Sequence, residues 1–338
     1  MAANYWESTQ RKHWQFTKDE LANVRQRLED DDPGLVQMFP LPQLRHLNIY
    51  FNQQINRLGK RLGVRQQPMA TAQVYTKRFY TRVEIRRTNP YLVMATAVYL
   101  ACKMEECPHH IRMVAGEARS LWPNENQSID ASKLGECEFF LISEMSSHLI
   151  IHQPYRTLTT LQLDFGLTQD ESSLSWSVIN DHYMTDLPLL YPPHIVALTA
   201  MLLAITLRPT PGQNATATSG SNFHGASAAL THAQQARAAL TGNTAVNSSG
   251  MMSMPTFSPQ SSGGLQSMVV GADGQKQPAL DVRTKVTRFA AWLAESNIDI
   301  EAMVDCTQEL ISFYECHEQY NDKHTREQIT RFIKARGL

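Results

Sequence analysis

Cys107-Pro108-His109-His110 is the densest cluster of metal-binding side chains in the sequence. Thiolate and imidazole suit zinc, but a structural zinc takes four ligands, usually as two closely spaced pairs. No second pair lies at such a spacing, so the cluster is predicted to be a loop with exposed histidines, and no metal or cofactor is expected. The chain also has no Gly-rich phosphate loop, no Gly-x-Ser-x-Gly elbow and no His-Glu-x-x-His helix. Chemistry of its own is not expected.

A second group is more informative. Ala101-Cys102-Lys103-Met104-Glu105-Glu106 ends the most apolar stretch of the chain with a lysine and two acids. A lysine there relieves the C-terminal dipole of a helix by about 0.3–1 kcal/mol, but the same dipole disfavours acids. In Leu134-Gly135-Glu136-Cys137-Glu138-Phe139-Phe140-Leu141, acids alternate with apolar residues in an otherwise core-like helix. A half-buried Lys103 and Glu138 are expected to pair with each other, or with exposed backbone groups of a partner.

The elements that must hold these residues come in two copies. Residues 74–104 align without a gap on 177–207, 103 positions later, keeping Tyr80/Tyr183, Pro90/Pro193, Val93/Val196, Thr96/Thr199, Ala97/Ala200, Leu100/Leu203 and Ala101/Ala204. The first copy reads as five helices. Leu44, Leu47, Phe51, Ile55, Leu58 and Leu62 recur at three- and four-residue steps until Gly63. Pro68 opens a helix with Val74, Tyr75, Phe79 and Val83 inward, and Asn89-Pro90 caps a central helix over 91–104. Helices over 108–121 and 130–147 complete the set. The second copy starts at Pro154, repeats the pattern over 170–187 and 193–207, and finishes with helices over 282–293 and 299–320. No segment alternates with period two, so the fold is predicted to be all-α. From 209 to 278 only Arg237, Asp273 and Lys276 are charged and small polar residues dominate, which predicts a disordered insert. Within it, Ala226–Leu240 reads as transiently helical, and Thr210-Pro211 and Ser258-Pro259 fit proline-directed phosphorylation at a frequency close to chance.

The totals exclude several classes. With 31 Lys+Arg against 32 Asp+Glu, the chain has no global pull toward nucleic acid or membrane. The amino terminus has no apolar stretch of signal-peptide length, and the apolar runs are too short to span a bilayer. Five scattered cysteines predict reduced thiols in an intracellular protein. The charge is uneven, however: residues 43–90 hold ten Lys/Arg against Glu84 alone. Scattered cations usually make a solvated face, but this excess also suits an acidic partner, with Arg65, Lys77, Arg78 and Arg82 as candidates. Near the amino terminus, Trp6, His13 and Trp14 suit either a helix docked on its own domain or a contact with a partner.

The tandem helical repeat, Leu100–Glu106 and Glu138 together resemble a pair of cyclin boxes. The closest likeness is to the cyclin C family, the cyclin subunit of the Mediator kinase module, in its fungal form. It rests on Asn4–Ser8, Leu62–Gln67, Ala70–Tyr80, Glu136–Phe139, Pro154–Arg156 and Leu189–Pro193, and covers residues 4–207 and 281–320. The resemblance implies two five-helix bundles with an extra amino-terminal helix: 1–40 as helix and linker, 41–152 as the first box, 153–320 as the second with its insert at 209–280, and 321–338 as a tail. It also implies a non-catalytic, nuclear activator of a cyclin-dependent kinase that regulates RNA polymerase II transcription. Lys103 and Glu138 would hold the kinase segment beside its C-helix, flanked by Met104, Glu105, Glu106 and Ile142. Other Mediator-module subunits are implied as partners, with no direct contact to nucleic acid or membrane. The alternative is the related repeat fold of general transcription factor IIB, which would turn the basic block toward DNA phosphates. The lack of an amino-terminal zinc ribbon and the presence of Lys103 and Glu138 speak against it.

Overall fold

A computed structural model describes residues 4–123, 128–207 and 282–337, and among them it contains helices and turns but no strand. The expectations for the 209–280 insert, including its Ala-rich patch and its two Ser/Thr-Pro sites, lie outside the described residues. After a 3-10 turn at Tyr5–Glu7 come three amino-terminal helices, α1 (Thr9–His13), α2 (Lys18–Asp30) and α3 (Pro33–Met38), where one was expected. The first repeat is α4 (Leu44–Arg61), α5 (Gln66–Phe79), α6 (Pro90–Met104), α7 (Ile111–Leu121) and α8 (Ala131–Glu144). The second is α9 (Tyr155–Leu161), α10 (Gln169–His182), α12 (Pro193–Thr206), α13 (Val282–Glu295) and α14 (Ile300–Glu318), with the short α11 (Leu187–Leu190) before α12.

The duplication holds at the level of helix ends. α10 starts and stops 103 residues after α5. The preceding helices turn at Gly63 (φ 66°) and Gly166 (φ 61°), which are also 103 apart. In both turns the next residue reaches back to a carbonyl five positions earlier, Val64 to Gly59 (2.8 Å) and Leu167 to Gln162 (2.9 Å). That cap requires a left-handed residue, which glycine supplies without a Cβ clash.

Each repeat surrounds its own core. Leu47, Phe51, Ile55, Phe79, Met94, Val98, Val114, Leu134 and Leu141 fill the first. Phe165, Val178, Ile179, Leu198, Met201, Phe289, Leu310 and Phe313 fill the second. As expected, Asn89 caps α6, its side chain accepting from Tyr91 N–H (3.0 Å), with Pro90 in the first helical position. α6 and its counterpart α12 are buried along nearly their whole length.

Two expectations are corrected. First, α5 has no solvent side: every residue from Pro68 to Phe79 is buried. Its inner stripe packs into the first core, while Ala70 and Val74, with Ile49 of α4, belong to the second. Second, the expected tail 321–338 contains a helix, α15 (Asp322–Arg336), whose Ile329, Phe332 and Ile333 complete the first core. Their three- and four-residue spacing marks an amphipathic helix.

α13 brings Lys285 into the second repeat. Its ammonium meets both carboxylate oxygens of Glu171 (2.9 and 2.7 Å), and each side chain is only 1% exposed. Glu171 is also the third-residue acid of the capping box that starts α10 on Thr168. Removing one member strands the other's charge in the core, so Lys285→Met is expected to cost about 3–5 kcal/mol in urea unfolding. The double variant Glu171→Leu/Lys285→Met should recover most of that loss; equal losses in the single and double variants would contradict this account.

Candidate functional site

α6 stops by the same kind of cap, but without a glycine. Glu106 N–H donates to the Lys103 carbonyl (3.3 Å) and Cys107 N–H to the Cys102 carbonyl (2.9 Å), with Glu106 in the left-handed region at φ 55°. The cap leaves Lys103 and Met104 in the last turn, exposed, and sends the two following glutamates different ways. Glu106 remains exposed. Glu105 turns inward, where its Oε1 accepts from Thr71 Oγ1 (2.6 Å) beside Gln153 Nε2, which itself donates to Thr71 (2.7 Å). The expectation that Glu105 flanks the same exposed surface as Lys103 is therefore corrected: it braces the linker between the repeats.

α8 supplies the opposite wall. Asp130 caps it by accepting from Lys133 N–H (2.8 Å), and α8 packs along α6. Glu138 is 11% exposed, yet its Oε1 is in ion-pair contact with the ammonium of Lys103, which is 38% exposed. That carboxylate oxygen is closed off from water and has no well-aligned hydrogen bond, so the contact is mainly electrostatic. The same ammonium lies 4.6 Å from the centre of the Tyr99 ring. Because Lys103 keeps much of its hydration while the Glu138 carboxylate gives up most of its own, the attraction does little more than offset the cost of burying that carboxylate. Stability is a poor reason to keep it at a helix end.

Exposed apolar side chains lie on the same helices as the pair. Phe139 is 76% exposed, Phe140 41% and Met104 40%, and Ile142 is half-buried one turn further along α8. Phe140 is anchored edge-on against Phe79 (5.3 Å, 87°). Lys103 and Met104 of α6, Glu106 of its cap, and Glu138 and Ile142 of α8 thus come from neighbouring helices. Tyr99, Phe139 and Phe140 were not singled out from sequence. The available signal was the Glu138-Phe139 step, which on a helix turns an aromatic away from the buried side.

The amino-terminal segment divides between the two expected roles. Trp14 is 1% exposed and donates from Nε1 to His148 Nδ1 (3.1 Å). The guanidiniums of Arg78 and Arg82 lie 5.0 and 5.3 Å from the centre of its ring, and His13 stacks on His148 (4.8 Å). Gln10 holds His152 through both main-chain groups (2.7 and 3.3 Å). Trp14 is therefore packing within this chain, and its expected partner contact is corrected. Trp6 is 53% exposed beside His194, at the edge of a groove of about 560 Å3 lined by Ile150, Tyr155 and Trp292.

The basic block is not one open face. Arg65 and Arg82 are exposed, but Lys77 and Arg78 are buried on α5 and Arg86 is buried beside it. Burial pushes the Lys77 ammonium down to about 8 and the Arg78 guanidinium down to about 9. Arg78 donates to the His148 carbonyl (2.7 Å), and Arg86 pairs with Glu84 and donates to the Phe39 carbonyl (2.6 Å). Partner contacts for Lys77 and Arg78 are corrected for the same reason: α5 lies between two cores. In the Cys107–His110 loop, both ring nitrogens of His109 lie 3.0 Å from backbone carbonyls, and His110 caps α7. No group of three or more metal-ligating side chains occurs among the described residues, and no helix there is long and apolar enough to cross a membrane.

Comparison with known proteins assigns the family. The cyclin N-terminal domain matches residues 33–150. An RNA polymerase II holoenzyme cyclin-like subunit of Neurospora crassa is 66% identical over 347 aligned positions, covering 100% of this chain and 99% of the relative. The chain belongs to the cyclin C family. The corresponding Chaetomium globosum subunit is 64% identical with 100% of both chains covered, and that of Aspergillus oryzae 50% with 100% and 99% covered. Among solved structures, a chain of the CAK complex of Chaetomium thermophilum bound to ATP-γ-S superposes with a TM-score of 0.55, at 16% identity over 98% of this chain and 86% of that one. A chain of the yeast TFIIK complex gives 0.50 at 20% identity over 59% and 85%. Both share the fold. Members of the cyclin family are regulatory rather than catalytic subunits, and the relatives of this chain are named as subunits of the RNA polymerase II holoenzyme.

The cap of α6 in this cyclin generates a test. A non-glycine residue in the left-handed region costs about 1–2 kcal/mol, partly offset by the extra unfolded-state freedom of glycine. Glu106→Gly is therefore expected to stabilise the free cyclin by about 1 kcal/mol in thermal unfolding. A loss of stability would show that the Glu106 side chain contributes to the fold.

Proposed function

We propose that this cyclin binds and activates a cyclin-dependent kinase of the Mediator kinase module, in the nucleus, through the surface shared by α6 and α8. The observation that carries the proposal is the Lys103–Glu138 pair, partly open to water, with exposed Met104 directly after Lys103 and exposed Phe139 directly after Glu138. Exposed apolar residues next to a charge pair of little value to folding suit a protein partner. A protein kinase works when the glutamate of its mobile C-helix pairs with the ATP-orienting lysine. A rigid surface that binds only that helix position shifts the kinase population toward the active state. Lys103 and Glu138 would grip the polypeptide next to the C-helix, exchanging part of their mutual contact for hydrogen bonds to its backbone. The exposed aromatics would supply the buried area, with Met104, Glu106 and Ile142 at the margin.

Trp6, beside the groove at the junction of the repeats, and the exposed Arg65 and Arg82 are proposed as contacts for further subunits of the module. The transcription factor IIB-like alternative loses support because Lys77, Arg78 and Arg86 face inward and leave no continuous cationic face for phosphates.

Lys103→Ala and Glu138→Ala are each expected to weaken binding of the purified kinase by about 2–4 kcal/mol by isothermal titration, with a parallel fall in kinase activity at fixed cyclin concentration. Phe139→Ser should weaken binding without altering the fold, because the side chain is already in water. Undiminished affinity in all three variants would remove α6 and α8 from the interface.

A further inference from the structure

α14 closes the second core with one face and leaves another in water. Met303, Cys306, Leu310 and Phe313 pack into the bundle. On the outer face, Ile300 is 55% exposed, Val304 52% and Ile311 39%. At 100° per residue these three fall within about 40° of one line along the helix. Thr307, half-buried, fills the gap between them, so the steps are four, three and four residues. That spacing is the seam by which one helix packs lengthwise on another. Here it faces solvent.

The charge beside the seam has one sign. α14 holds five acids and no lysine or arginine. Two of the acids are answered from neighbouring helices, Asp305 by Lys18 of α2 (3.2 Å) and Glu309 by Arg45 of α4 (3.1 Å). Glu301, Glu315 and Glu318 are exposed and make no ion pair among the described residues. Glu301, Gln308 and Glu315 recur every seven residues along one edge of the seam, and Glu318 lies at its end. Charges placed along such an edge select a partner helix by the charges on its own edges.

The free helix gains little from these choices. Isoleucine and valine are β-branched and lower helix propensity, and in water they recover nothing by burial. Glu315 and Glu318 occupy the last turn, where the helix dipole disfavours acids. Both choices become favourable when an apolar, cationic helix covers them.

We propose that α14 is a docking face for an amphipathic helix of another protein, one whose apolar seam covers Ile300, Val304 and Ile311 and whose lysines or arginines meet Glu301, Glu315 and Glu318. Charge decides among the occupants. A second copy of this chain, paired about a two-fold axis, would bring two acidic edges together, like charge against like. Residues 209–278 of the chain itself carry only Arg237 and Lys276 as cations, 39 positions apart, which cannot form a basic edge. From Ile300 to Glu318 the face runs about 28 Å, room for a partner helix of about five turns. None of its residues belongs to the α6–α8 surface or lines the groove beside Trp6.

The test uses the full chain and three labelled peptides of about three heptads each. The first has leucine at both seam positions and lysine along both edges. The second replaces the lysines with glutamate, and the third keeps the composition of the first but scatters its leucines around the helix. Fluorescence anisotropy is expected to show saturable binding of the first peptide, at least about tenfold tighter than either of the others and weakening as salt is raised. Val304→Ser/Ile311→Ser should weaken it by at least about tenfold, and Glu301→Gln/Glu315→Gln should remove most of the salt dependence. Leu163→Ser, at an 81% exposed leucine outside α14, should change neither. The comparison among peptides is made on the unaltered chain, so it stands even if a variant fails to fold. Failure of the first peptide to saturate by about 100 µM, or equal binding of the lysine and glutamate peptides, would overturn the proposal. Insensitivity to Val304→Ser/Ile311→Ser would place the peptide elsewhere and overturn it too. Sedimentation of the chain alone supplies the last outcome: a dimer that Val304→Ser/Ile311→Ser dissociates would give the face to a second copy, against the proposal.

Discussion

The architecture depends on the double burial of α5. A helix covered on one side needs one apolar stripe; a helix placed between two bundles must satisfy both, and its polar residues must find partners inside the protein. α5 does so by serving the linker between the repeats. Tyr75 Oη donates to the Leu149 carbonyl (2.5 Å), Arg78 to the His148 carbonyl (2.7 Å), and Thr71 connects to Gln153 and Glu105. The amino-terminal segment grips the same linker from outside through Gln10 and Trp14. The orientation of the two bundles is thus set by hydrogen bonds to a few linker residues, not by apolar contact alone, which has little directional preference.

This arrangement gives the α6–α8 surface a rigid base. α6 is packed against α5, α4, α7 and α8, so its last turn has little freedom. Placing a left-handed residue immediately after that turn separates two adjacent glutamates, one turned into the linker and one left in water. The docking function proposed for Lys103 and Glu138 needs such a base, because a surface that yields on contact cannot favour one partner conformation over another.

Much of this was legible in the sequence because it follows from periodicity. The 103-residue offset located both central helices, the Asn89-Pro90 step located the start of α6, and three- and four-residue spacing up to Gly63 located the end of α4. The association of Lys103 with Glu138 was also readable, since two unusual charges on core-like helices have few other ways to be satisfied. Three of the departures share one cause. Residue type favours exposure for Lys77 and Arg78 and leaves Trp14 ambiguous. Their burial depends on residues far away in sequence, the linker and the second repeat, which no local window contains. Glu105 and Glu106 are neighbours in sequence, but neighbours do not share a face at a left-handed cap. The final helix was passed over because its charged residues outweigh Ile329, Phe332 and Ile333 in any average, although the spacing of those three was visible.

The Lys285–Glu171 contact has one more consequence. The chain leaves the second bundle after Thr206 and is again described from Val282, three residues before that lysine. A buried ammonium tolerates no slippage: moving α13 by one residue would carry Lys285 about 100° around the helix, away from its carboxylate. The pair therefore works like a keyed fastener at the point of return.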